Sequence, residues 1–145
     1  MLEPIAILDS PLDTAGLRAE ATDPAAGAVV VFEGCARNHH GGMDVEGLAY
    51  EAFVPMALAE LDRLRAQAME RFQLLRCLIH HRIGPVPLTE AAVVVVTASP
   101  HRREAFEASL WIMDRIKESV PIWKRERYRE GGDAWVEGED RKPLT

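Results

Sequence analysis

The chain has 145 residues, of which 48% are hydrophobic and 28% charged, and its formal net charge is −6 at pH 7. This length suits one domain with enough apolar residues for a core. The negative charge argues against a general nucleic-acid binder, whose domain is normally basic. Its two cysteines, Cys35 and Cys77, form neither a metal-binding nor a disulfide pattern. No segment resembles a signal peptide or a membrane span, so a cytoplasmic protein without a membrane partner is expected.

The first part of the chain alternates short apolar runs with turn signals. Strands are predicted over 5–8, 27–35 and 45–53, and a short helix from Asp13 or Thr14 through residue 21. The continuous apolar run at 29–32 predicts a strand buried on both faces. Residues 37–44 are polar and glycine-rich, which predicts a mobile loop that orders over a ligand. The adjacent His39 and His40 in it lack a carboxylate or cysteine at ligand spacing, so no metal site is predicted.

The second part contains the two long helices. Pro55 suits the first turn of a helix that runs to about residue 72. Strands are predicted over 74–80, 91–97, 122–128 and 134–136, the second of them buried on both faces. The prolines within 81–87 predict a rigid connection, with His80 and His81 covering a surface. A helix over 100–120 is predicted, with Ser99 as N-cap and Pro100 in its first turn, and residues 137–145 are expected to be a flexible tail.

The second long helix carries a lysine in an unusual place. At 100° per residue, one apolar arc contains Phe106, Leu110, Met113 and Val120, and Lys117 falls within it. Two interpretations remain open. The stem of Lys117 packs while its ammonium reaches the surface, or the amine is partly desolvated and its pKa is lowered. Lys124, beyond the helix, would lower that pKa further and favour a base or nucleophile.

The start of the same helix is basic. His101, Arg102 and Arg103 occupy its first turn, where cations oppose the helix dipole. They form either an anion site or a solvated basic patch. About 16 residues, or roughly 24 Å of helix, separate this turn from Lys117, so one small ligand cannot reach both within a subunit. We expect the two groups to meet across a two-fold dimer.

The order of elements mixes hairpin neighbours with crossover helices, which predicts an α+β fold rather than a doubly wound one. The chain contains no P-loop, no dinucleotide-type glycine pattern and no nucleophile elbow. These residues alone indicate an enzyme or binding domain for a small phosphorylated ligand.

Several motifs, in order over nearly the whole chain, resemble the molybdopterin synthase catalytic (large) subunit family. They are Phe32-Glu-Gly-Cys-Ala-Arg-Asn38, Leu48-Ala-Tyr-Glu-Ala52, His80-His-Arg-Ile-Gly84, Ser99-Pro-His-Arg102, Met113-Asp-Arg-Ile-Lys117, Pro121-Ile-Trp-Lys-Arg-Glu126 and Gly132-Asp-Ala-Trp-Val136. The resemblance implies a single α+β domain over 1–145, with a hammerhead-type mixed sheet and crossover helices.

The resemblance also implies an activity and partners. Large subunits pair as a homodimer within a heterotetramer, and each binds a small ubiquitin-like sulfur-carrier subunit. The Gly-Gly end of the carrier, as a thiocarboxylate, supplies sulfur to cyclic pyranopterin monophosphate and forms the molybdopterin dithiolene. No cofactor or metal is implied. The rival interpretation is a non-catalytic anion- or RNA-binding module on the same scaffold.

Matching positions carry over the family's functional residues. Lys117 matches the essential lysine and Lys124 a second one; whether Lys117 acts as a general base or attacks the thiocarboxylate carbon stays open. The residues that match the substrate-binding set, besides these two lysines, are Cys35, Ala36, Arg37, His101, Arg102, Arg125 and Glu126. Of these, His101 and Arg102 are expected from the neighbouring subunit. Cys35 is either a sulfur relay or a packing residue at the end of a strand.

Overall fold

The structure is a computed structural model and describes residues 1–129 and 131–136. The described elements follow in the order β1 (Ile5–Leu8), α1 (Thr14–Glu20), β2 (Ala28–Cys35), β3 (His39–His40), β4 (Met43–Ala52), α2 (Val54–Arg71), β5 (Arg76–Arg82), β6 (Gly84–Val86), β7 (Ala91–Ser99), α3 (Arg102–Ser119), β8 (Ile122–Tyr128) and β9 (Asp133–Val136). One sheet has the order β1-β5-β7-β2, and the second has the order β3-β4-β8-β9 with β6 paired to β4. The predicted α+β class is confirmed. The predicted tail over 137–145 lies outside the described residues, and so does part of the predicted single domain over 1–145.

Strand β7 is the centre of the first sheet and is buried on both faces, as predicted. It pairs antiparallel with β5 on one side and β2 on the other. Val93 and Val95 pack against the face covered by α2 and α3. Val94 and Val96 pack on the opposite face with Leu17 of α1. Because both faces are covered by helices, the continuous valine run suits this strand and no other in the sheet.

Strand β2 does not have the predicted two-sided burial. It is an edge strand, since only β7 pairs with it in this sheet. Val31 and Phe32 are 40% and 37% exposed. An apolar run indicates that a strand is covered on both faces, but it cannot identify what covers them, and residues 1–129 and 131–136 leave β2 partly exposed.

The predicted apolar arc of α3 is also wrong in part. The residues that α3 buries are Ala105, Ala108, Ser109, Ile112 and Ile116, at i, i+3, i+4, i+7 and i+11. Phe106 and Leu110, which the prediction placed towards the core, are 61% and 66% exposed. The buried face includes the small residues Ala105, Ala108 and Ser109, which let α3 pack closely on its neighbours. A prediction based on the large apolar side chains therefore selected the wrong face.

The beginning of α3 lies two residues later than predicted. His101 has the extended backbone of an N-cap, and its side chain makes no capping hydrogen bond. Ser99 is the last residue of β7 and donates its hydroxyl to the His101 carbonyl. The helix ends at Ser119, and Pro121 accepts a hydrogen bond from the Phe53 amide, which anchors the connection to β8 beside α2.

Two predicted connections are strands in the structure. Within 37–44, β3 and β4 form a tight hairpin through Gly41 and Gly42, whose φ values of 59° and 79° favour glycine. Within 81–87, β6 pairs antiparallel with β4. His80 and His81 are buried strand residues rather than a surface cover, at 2% and 5% exposed. None of the described helices is long and apolar enough to cross a membrane.

We expect Ile112→Ala to lower the free energy of unfolding by about 2–5 kcal/mol, since it opens a cavity in a closed core. Leu110→Ala on the exposed side of α3 is expected to cost less than about 0.5 kcal/mol. Urea unfolding at two protein concentrations measures both values, because any contribution of a second copy appears as concentration dependence. Equal costs at the lower concentration contradict the burial pattern.

Candidate active site

A cavity of about 310 Å³ opens between the two sheets, beside the C-terminal end of α3. Its walls come from the ends of β2 and α3 and from the inward faces of β4, β5 and β8. The residues that line it are Phe32, Glu33, Gly34, Cys35, Arg37, Leu48, Tyr50, His81, Val93, Met113, Ile116, Lys117, Ile122, Lys124 and Glu126. The cavity therefore collects three cations, Arg37, Lys117 and Lys124, and suits a small anionic ligand.

Lys117 is partly buried in the last turn of α3. Its neighbour Ile116 packs into the core, and Lys117 follows 100° further around the helix, at the rim between core and solvent. A cation is favoured there because the C-terminal carbonyl groups carry partial negative charge. The helix thus directs the amine into the cavity, although the apolar arc that first singled it out is largely exposed.

Lys124 reaches the same cavity because of the alternation along β8. Lys124, Glu126 and Tyr128 are buried on the inward face of the strand, whereas Trp123 and Arg125 point outward. Lys124 is only 7% exposed. The structure therefore brings the two predicted lysines together from different elements, α3 and β8, around the turn at Pro121.

Glu126 is a buried carboxylate, 1% exposed, with defined partners for each oxygen. Its Oε1 accepts from the Tyr128 hydroxyl at 3.0 Å and bonds His40 Nδ1 at 2.7 Å. Its Oε2 lies 3.9 Å from Lys124 Nζ. Burial, then the bond to Glu126, raise the pKa of Tyr128, which therefore remains a protonated donor. These contacts offset the cost of removing a carboxylate from water.

The end of β2 supplies the opposite wall. A register shift at Gly34 and Cys35 turns the strand here, and a Cβ at Gly34 would lie 2.8 Å from Val93 Cγ1. Cys35 and Arg37 are exposed residues that line the cavity. Ala36 does not line it, because it is 3% exposed and packs with the cluster of β4, β6 and β8.

Three of the predicted site residues lie elsewhere in the subunit. Arg125 points to the outer face of β8, where it lies 3.9 Å from Asp133 and 5.7 Å from the centre of the Trp135 ring. His101 and Arg102 line a separate concave surface with Gly27, Pro100 and Arg103 at the start of α3. Two concave surfaces at opposite ends of one helix match the predicted separation of these groups.

Sequence reasoning missed four residues near the cavity. Tyr50 and His81 line it and meet edge to face, with ring centres 5.1 Å apart. His40 and Tyr128 are both hydrogen-bonded to Glu126 Oε1. The alternation of inward and outward side chains along β4 and β8 could have indicated Tyr50 and Tyr128. The contact between His40 and Glu126 joins residues 86 positions apart, so no local sequence pattern predicts it. Within the described ranges no three histidine, cysteine or acidic side chains gather at metal-binding distances.

We expect alkylation of the folded protein by iodoacetamide to occur at Cys35 alone, and only slowly at neutral pH. Partial desolvation and then the Glu33 charge raise the pKa of Cys35, and burial raises the pKa of Cys77 to about 12. The rate of Cys35 alkylation, measured by mass spectrometry as a function of pH, should have its midpoint above 9.0. Cys35→Ser is the control without a reactive thiol. A midpoint below about 8.5, the value of an ordinary cysteine, contradicts this prediction and would favour a sulfur relay.

Comparisons with known proteins identify the family of the chain. A family model described as MoaE protein matches residues 7–119. The molybdopterin synthase catalytic subunit of Pyrococcus abyssi is 45% identical over 118 residues, covering 81% of this chain and 79% of that protein. The crystal structure of molybdopterin synthase from Staphylococcus aureus has a TM-score of 0.88 at 36% identity, covering 94% of this chain and 98% of that one.

A further solved structure is a complex of subunits 1 and 2 of molybdopterin-converting factor from Helicobacter pylori. It has a TM-score of 0.74 at 20% identity, covers 97% of this chain and 93% of that one, and shows a common fold. The resemblance inferred from the motifs is thereby confirmed, and the chain belongs to the MoaE protein family.

Proposed function

We propose that this chain is the catalytic subunit of a molybdopterin synthase. It moves sulfur from a thiocarboxylated carrier protein to cyclic pyranopterin monophosphate and forms the molybdopterin dithiolene in the cytoplasm. The observation that carries the proposal is the convergence of Lys117 and Lys124 on one cavity with Arg37. The relative from Pyrococcus abyssi bears the name of this enzyme.

The cavity has the properties that the carrier and the precursor require. A thiocarboxylate is an anion, and so is the precursor's phosphate, so both favour a cavity lined by cations. A Gly-Gly tail has no side chains and fits a narrow opening between two sheets. The solved complex of two converting-factor subunits has this fold, which supports a small protein partner.

The two lysines have different surroundings and, we propose, different roles. Lys117 is partly buried at the end of α3 and lines the cavity, so it takes and returns protons at the reacting sulfur, or attacks the thiocarboxylate carbon. Lys124 is buried beside Glu126 and binds the anionic end of the carrier or substrate. Water supplies the oxygen that replaces the transferred sulfur at the carbonyl carbon, so the carrier leaves as a carboxylate.

The active site is completed, we propose, by a second copy of the chain. His101 and Arg102 lie on a separate surface from the cavity, although the matching family residues hold the substrate. Val31 and Phe32 on the edge strand β2 are exposed, and so are Phe106 and Leu110 on α3, which packs against β2. Several large exposed apolar side chains on adjoining elements are typical of an interface between subunits.

The rival function, a non-catalytic anion- or RNA-binding module, has no support in the comparisons. The net charge of −6 also opposes a nucleic-acid partner.

Lys117→Ala and Lys117→Arg are each expected to lower dithiolene formation by at least about 100-fold, because neither an alanine nor a permanently protonated guanidinium can take and return a proton. The assay uses a thiocarboxylated carrier and cyclic pyranopterin monophosphate, and measures the product. Arg63→Ala is the matched control, since Arg63 pairs with Glu60 on the surface of α2. Full turnover by Lys117→Arg would show that charge alone is required and would refute the proton-transfer role.

A mixed dimer of Arg102→Ala and Lys117→Ala subunits is expected to have about half of the wild-type activity, since one of its two sites carries neither substitution. Each variant alone should be nearly inactive. The mixed dimer is purified through two different affinity tags, and its composition is verified by native mass spectrometry. Sedimentation of a fully active monomer, or an inactive mixed dimer, contradicts a site shared between subunits.

A further inference from the structure

His40 is a buried titratable residue to which the proposed reaction assigns no role. It lies on the β3–β4 hairpin, 8% exposed, and is outside the cavity lining. Its Nδ1 bonds Glu126 Oε1 at 2.7 Å, the distance of a strong, charge-assisted hydrogen bond. A carboxylate only accepts, so His40 is the donor. The hairpin is thus tied to the inward face of β8 by one contact between side chains.

That contact bears on Lys124 through the geometry of the carboxylate. Glu126 Oε1 is occupied by His40 and by the Tyr128 hydroxyl at 3.0 Å. Glu126 Oε2 is thereby turned towards Lys124 Nζ, at 3.9 Å, which is an ion pair but longer than a hydrogen bond. The carboxylate is therefore held near the ammonium without being in direct hydrogen-bonding contact with it.

We propose that His40 is a positioning residue that, by fixing Glu126, keeps the Lys124 ammonium directed into the cavity. The proposal rests on the proposed function only for the catalytic consequence, because the position of Lys124 can be measured in the protein alone. Without the His40 donor, a buried carboxylate lacks one of its partners and turns to the cation already beside it. Lys124 is then drawn into a close pair with Glu126 and withdrawn from the cavity.

Three substitutions separate this role from a general contribution to folding. His40→Leu removes the donor at similar volume. His40→Asn places an amide nitrogen close to the position of Nδ1 and keeps a donor for Glu126 Oε1. His39→Leu is the matched control, because His39 is the exposed neighbour on the same hairpin and forms its hydrogen bond with the side chain of Asn38 instead of Glu126.

The direct readout is the rate of reductive methylation at each lysine of the folded protein, with formaldehyde as the probe and quantification by mass spectrometry. His40→Leu is expected to slow methylation of Lys124 by about tenfold, the effect of one charge-assisted hydrogen bond, and to leave Lys117 unchanged. His40→Asn and His39→Leu should match the wild type. An unchanged or faster rate at Lys124 in His40→Leu overturns the proposal.

If His40→Leu does not fold, Tyr128→Phe is tested instead, since it removes the other hydrogen-bond donor to Glu126 Oε1. It should also slow the methylation of Lys124. Turnover gives the second readout: kcat of His40→Leu is expected to fall about tenfold, with recovery in His40→Asn. If the wild type shows no turnover, the proposed function fails while the methylation result stands. If methylation is unaffected, the role of His40 fails while the enzyme remains active.

Discussion

The valines of β7 must be covered on both faces, and this requirement organises the molecule. Val93 and Val95 are covered by α2 and α3, and Val94 and Val96 by α1. Because α3 begins directly after β7 and returns along the sheet, its C-terminal end lies near the N-terminal end of β7. The second sheet meets the first one there. The cavity therefore forms where a two-sided core ends, and Lys117 stands at its rim.

The electrostatics of the cavity depend on one buried carboxylate among several cations. Glu126 is nearly inaccessible, and its oxygens are divided between two hydrogen-bond donors and Lys124. A charge in this position is stable only with all of its partners present. The β3–β4 hairpin supplies one of them, so a short surface element is linked to the interior of the site. Residues 37–44, expected as a mobile loop, thus contain a hairpin with a side-chain contact to β8.

The single subunit exposes apolar residues that our proposed dimer would cover. The edge strand β2 exposes Phe32, and the adjoining face of α3 exposes Phe106, although both were expected in the core. In our proposal, the surface that covers these residues belongs to a second copy of the chain. The same second copy would bring the basic start of α3 to the cavity. Apolar exposure and divided binding residues thus have one common physical explanation.

The sequence by itself determined most elements, the α+β class, the two lysines and the family, because apolar periodicity and short motifs are local properties. It did not determine which face of α3 is buried. Ala105 and Ile112 are buried and Phe106 is exposed, because close packing of α3 on its neighbours favours the face with smaller side chains. The position of Arg125 outside the cavity follows from the in–out alternation of β8, whose register depends on pairing with β4. Only the tertiary structure brings His40 to Glu126, since a contact across 86 residues depends on β3 and β8 both pairing with β4 in the second sheet.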